Sequence, residues 1–113
     1  MIFIGSPSIV LEKLTELKTT TVSLDSNFSP FDIGFPFKNK DNNIEMQYIP
    51  FIDLSIKSDS HNFFIENIEE LSVETRYALL NVLIEKNIKS NIFIAIENID
   101  IIDQVYLNRM ICI

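Results

Sequence analysis

Short, unbroken apolar runs recur along this chain, separated by stretches of helical spacing. Met1–Ile4 (MIFI), Phe63–Ile65 (FFI) and Ile92–Ile96 (IFIAI) have the continuous pattern of strands buried on both faces. After the first run, Ser6 stands at a helix-capping position and Pro7 at a first helical position, where a missing N–H is harmless. Val10, Leu14 and Leu17 then form one apolar helix face. Thr20–Leu24 is β-branched and alternating, which predicts a second strand. Val73, Tyr77, Leu80, Leu83 and Ile84 predict a helix over Ser72–Lys86. Ile99–Arg109 suits a short helix, and Met110–Ile113 starts a last strand.

Two segments break this rhythm. Ser26–Asn43 contains Pro30, Gly34 and Pro36, four spread phenylalanines (Phe28, Phe31, Phe35, Phe37) and a polar KNKDNN close, and it reads as a loop excursion over 26–43. Ile44–Ile56 is apolar around Pro50, and its pattern leaves helix and strand both open. The order of elements predicts a single α/β domain over 1–113: a three-layer sandwich with a mostly parallel five-stranded sheet covered on both faces. There is no internal repeat.

Composition narrows the function classes. Of the 113 residues, 47% are hydrophobic, enough for a core and against wholesale disorder. The formal charge of −7 argues against strong direct binding of nucleic acid, which needs lysine and arginine to displace counterions. No apolar run approaches the roughly 20 residues that span a bilayer, and the N-terminus lacks a signal-peptide pattern, so the expectation is a cytoplasmic protein without membrane contact. The one cysteine, Cys112, can form neither an internal disulfide nor a thiolate metal site by itself.

Three stretches together resemble the AAA+ branch of the P-loop nucleotide hydrolases. IFIGSP resembles the strand that enters the phosphate-binding loop. NFFIENIEELSVETRYALLNVLIEK resembles the strand ending in two acids and the helix after it. IFIAIENIDIIDQVYLNR resembles the strand ending in a polar sensor residue, followed by a short helix. Complete AAA+ modules carry a helical lid after the last strand, and the resemblance here covers a core without it. It implies a relative of clamp-loader delta-prime subunits or of the DnaA initiator group, a protein that assembles with others at replicating DNA.

The departures from that pattern point to a dead nucleotide site. Counting from Gly5 and Ser6, the pattern puts Val10, Leu11 and Glu12 where glycine, lysine and a hydroxyl residue belong. Leu11 has no charge for the outer phosphates, and Glu12 repels them. Gly5 and Gly34 are the only glycines, so little backbone is free to wrap phosphate. Glu66 stands where an aspartate steadies magnesium, and Asn67 where a glutamate polarises water; Asn cannot take a proton. Asn98 fits the sensor position. Arg109 resembles the arginine presented in trans to a neighbour's nucleotide, a role that survives the loss of a subunit's own site. The resemblance with these losses implies a pseudo-ATPase: no catalytic residue, metal or cofactor, and a protein partner such as an AAA+ replication ATPase.

Two other readings compete. The chain is also similar to a two-component receiver domain, a flavodoxin-like fold, but with Gly5-Ser6, Glu66 and Glu97 where phosphoryl chemistry needs other groups and with no lysine after the fifth strand. It would be a pseudo-receiver that regulates through protein contact. Strand order separates the two folds: the first strand lies between the fifth and fourth in AAA+ cores, and between the second and third in receivers. A true ATPase would need Lys13 as a substitute, which sits about 200° round the helix from the expected slot.

The remaining chemistry-bearing residues have plain structural readings. His61, the only histidine, lies beside Asp59 without evident metal partners and reads as a surface histidine. Glu66, Glu69, Glu70 and Glu74 read as a solvated acidic rim where a helix dipole favours acids. Cys112 reads as a small core residue. The excursion's phenylalanines, with Lys38 and Lys40, are read as packing the excursion down, ahead of a partner contact or base stacking.

Overall fold

A computed structural model describes residues 1–113. The element order is β1 (Ile2–Gly5), α1 (Pro7–Leu14), β2 (Thr20–Ser23), α2 (Pro30–Ile33), β3 (Gly34–Lys38), β4 (Ile44–Tyr48), α3 (Pro50–Lys57), β5 (Asn62–Glu66), α4 (Val73–Glu85), β6 (Asn91–Ala95), α5 (Gln104–Leu107) and β7 (Ile111–Cys112). Single 3₁₀ turns at Ile68–Glu70 and Ile99–Ile101 follow β5 and β6.

Five strands form one sheet in the order β2-β5-β6-β1-β7, and every pairing in it is parallel. β1 therefore lies between β6 and β7. The register sets Ile2, Phe3 and Ile4 beside Ile92, Phe93 and Ile94. Because side chains alternate across a strand, the unbroken apolar runs feed two cores at once. Ile2, Ile4, Phe63, Ile65, Ile92, Ile94 and Ile96 enter the larger core with Leu79, Leu80 and Leu83 of α4. Phe64, Phe93 and Ala95 meet Val10 and Leu14 of α1 on the other face. The Phe3 and Phe93 rings stack there, with centroids 4.8 Å apart. The result is helix, sheet and helix in three layers.

The structure corrects several expectations. The 26–43 segment is not a loop: α2 and β3 lie within it, and β3 pairs antiparallel with β4 in a separate two-stranded sheet. Ile44–Ile56 divides into strand and helix at Pro50, which starts α3. Leu17 is exposed, because α1 ends at Leu14, where the Thr15 amide and hydroxyl both turn back to the Glu12 carbonyl. In α4 the buried stripe is Thr75, Arg76, Leu79, Leu80 and Leu83, while Val73 is exposed. The real stripe lies rotated from the expected one, since α2 packs on this helix and the Thr75 hydroxyl donates to the Phe28 carbonyl at 3.3 Å. Cys112 is exposed on β7, at the edge of the sheet. Of the four excursion phenylalanines, Phe28 packs on the core; Phe31, Phe35 and Phe37 face solvent. No helix is long and apolar enough to cross a membrane.

Candidate functional site

In open α/β sheets the carboxyl ends of the strands form the natural ligand crevice. Here that crevice is a cleft of about 300 Å³ between α1 and the segments leaving β5 and β6. Pro7 and Leu11 form its α1 wall, and Phe64 and Ala95 its floor. Glu66, Asn67, Glu69, Glu70 and Glu97 complete the lining. Four of the nine lining residues are carboxylates and none is basic.

Three of these acids are positioned by the β5 end. Glu66 ends the strand, and its carboxylate accepts the Ser23 hydroxyl of β2 at 2.5 Å. Asn67 then turns the chain in the left-handed region (φ 66°, ψ 28°), which Asn tolerates better than most residues. The 3₁₀ turn that follows presents Glu69 and Glu70. Glu69 crosses the cleft, its carboxylate accepting the Glu97 backbone N–H at 3.2 Å.

A buried arginine holds this turn in place. Arg76 is 8% exposed, and its guanidinium donates to the carbonyls of Ile68, Glu69 and Leu71 at 3.4, 3.3 and 3.2 Å. The fixed fork spreads its donors over two nitrogens, Nε and Nη2, whereas a lysine would have to bring one ammonium to all three carbonyls. The sequence reading missed Arg76. Its signal was present: it stands one turn before Leu79 and Leu80 and two before Leu83, on the stripe that becomes buried.

The connection between β1 and α1 is too short for a phosphate-binding loop and carries no lysine. β1 ends at Gly5 and α1 begins at Pro7, so Ser6 alone joins them. Pro7 has no N–H, and the Val10 N–H already donates to the Ser6 carbonyl at 2.9 Å. Few amides remain to cradle an anion. Ser6 occupies the capping position without a capping hydrogen bond; its hydroxyl lies 3.5 Å from that of Ser8. Gly5 serves packing: a Cβ there would lie 2.6 Å from the Ile113 carbonyl oxygen, and the Ile113 N–H donates to the Ile4 carbonyl. Glu12 is exposed on α1 outside the cleft lining, whereas Leu11, in the slot expected for lysine, lines it.

The cleft thus gathers Leu11, Glu66 and Asn67 and leaves Asn98 and Arg109 out. The Asn98 side chain accepts the Asp100 N–H at 3.1 Å, a turn-building role. Arg109 is exposed beside Met1, Ile2, Leu83 and Lys86, at the opposite end of β1. Glu74 is exposed on α4 and does not line the cleft, while Glu97 does. His61 immediately precedes β5, its Nδ1 2.9 Å from the Ser58 hydroxyl and its ring stacked on that of Phe63.

Chemically, the cleft offers acceptors and repels anions. Two unit charges of like sign at about 4 Å repel by about 4 kcal/mol at the effective dielectric of a protein surface, and a nucleotide phosphate would meet several such charges. No protein-family model matches the chain, and no curated protein matches its sequence.

Proposed function

We propose that this chain is a degenerate AAA+-like core that acts as a non-catalytic assembly or regulatory subunit through protein contacts, in DNA replication or its control. Its own site does not hold ATP. The observation that carries this reading is the conjunction of strand order and lining. β1 lies between β6 and β7, the order of an AAA+ core, yet the cleft at its carboxyl end has four glutamates, no cation and a one-residue connection. A receiver-like order would instead put β1 between β2 and β5.

Arg109 fits a role in trans. It lies at the end of the sheet away from the chain's own cleft and is free in solvent, as a residue offered to a neighbouring ATPase must be. The partner in this reading is an AAA+ replication ATPase that supplies the nucleotide.

Titration calorimetry of the purified chain with Mg-ATP and Mg-ADP tests the dead site. The expected result is no binding heat. Micromolar affinity for either nucleotide would overturn the reading.

A further inference from the structure

The β3–β4 hairpin exposes apolar side chains on both of its faces. Phe35 and Phe37 lie on one face with Glu45 and Gln47; Pro36, Ile44 and Met46 lie on the other with Lys38 and Tyr48. Ile44 is 72% exposed and Met46 47%. Two strands alone are marginal in water, and a third or fourth strand is the usual remedy.

The two outer edges of this hairpin differ. The Ile49 N–H donates to the Ile33 carbonyl and the Asn39 N–H to the Asn43 carbonyl, which fixes the hydrogen-bonding phase of the ladder. Phe35 and Gln47, and Phe37 and Glu45, are then the hydrogen-bonded pairs. Gly34, Pro36 and Lys38 point their backbone groups off the β3 side, where Pro36 has no N–H to give. Ile44, Met46 and Tyr48 point theirs off the β4 side. That edge has no proline and no lysine, the usual blocks to strand addition.

We infer that the outer edge of β4 pairs antiparallel with β4 of a second copy of this chain, making one four-stranded sheet about a two-fold axis at Met46. In that register Met46 faces its own copy, Ile44 faces Tyr48, and Glu45 faces Gln47, so no like charges oppose. The charge balance favours a copy on this patch. Residues 34–48 hold two lysines (Lys38, Lys40) and two acids (Asp41, Glu45), a net charge of zero, while the whole chain carries −7. Two copies therefore meet on the neutral patch and keep their acidic surfaces apart. Pairing satisfies the free backbone groups of this edge, where the Tyr48 carbonyl so far accepts only the Gln47 side-chain amide at 3.3 Å, and adds a neighbour to the Ile44 and Met46 side chains.

Sedimentation equilibrium from micromolar to millimolar concentration, with amide exchange followed by NMR, tests this. The expected mass rises from 13.1 kDa towards twice that value. The amides of Ile44, Met46 and Tyr48 become protected with it, while those of Glu45 and Gln47 gain little. Met46→Pro removes an N–H that the hairpin itself does not use, and it is expected to stay monomeric. A wild-type monomer throughout the range overturns the inference. So does a dimer that leaves the three amides unprotected, or one that persists in a folded Met46→Pro variant. If that variant fails to fold, the wild-type exchange pattern decides the matter alone.

Discussion

The Glu69 carboxylate accepts the backbone N–H of Glu97, so two acidic residues meet across the cleft at the carboxyl ends of β5 and β6. One of them uses its side chain to hold the other's main chain, and both line the cleft. Charge and geometry are thereby set together against anions.

A lysine placed at position 11 should therefore not create a nucleotide site. Leu11→Lys puts one cation into a cleft with four glutamates and does not lengthen the Ser6 connection. Calorimetry with Mg-ATP should show no binding for the variant, as for the parent. Micromolar affinity in Leu11→Lys would mean that the lysine alone was lacking.

Arg76→Ala should be costly for a charged residue. It removes the guanidinium from three carbonyls near the cleft, of which Ile68 keeps only the Leu71 N–H, and hydrogen bonds to a charged group contribute about 1.5–3 kcal/mol each, though not additively. The expected loss is about 2–4 kcal/mol, read from urea unfolding midpoints. Arg76→Lys should recover only part of it. A loss below about 0.5 kcal/mol, the range of ordinary surface changes, would contradict the stapling role.

Gly5→Ala tests whether this glycine serves packing. The added methyl would press on the Ile113 carbonyl, and overpacking of this kind costs about 1–3 kcal/mol. Thermal unfolding should show a lowered Tm. An unchanged Tm would show that the Ile113 strand end yields freely.

Core residues and exposed residues of the Phe-rich segment should separate sharply. Ile94→Ala, at a fully buried position, is expected to cost about 2–5 kcal/mol in urea unfolding. Phe31→Ser, at a position 74% exposed, should stay within about 0.5 kcal/mol. A large loss at Phe31 would place it in a packed site.

Tyr77 should titrate late. Desolvation of the phenol, then the neighbouring Asp103 carboxylate, hold its pKa above the ordinary value of 10.0. The folded state thus keeps a proton that the unfolded state releases. Its contribution to stability is full below pH 10.0 and falls as pH rises through the raised value. Ultraviolet absorbance of the phenolate should show this late titration, and Asp103→Asn should move it back towards normal. No movement in Asp103→Asn would remove Asp103 as a cause.

The sequence by itself determined the framework. Runs such as IFIAI can be satisfied only with both faces of a strand covered, so the two-sided sheet and the places of β1, β5 and β6 follow from local composition. The absence of a lysine at Leu11 was equally legible, because it is a property of residue identity. Tertiary structure alone decided which strands are neighbours, since a buried strand reads the same beside any partner. It also decided that α4 buries Arg76 and exposes Val73, because the stripe depends on what packs against it. The phenylalanine-rich excursion misled for the same reason. Alternating apolar residues specify a strand, and only the rest of the fold determines whether that strand finds a core or, like β3, is left in solvent.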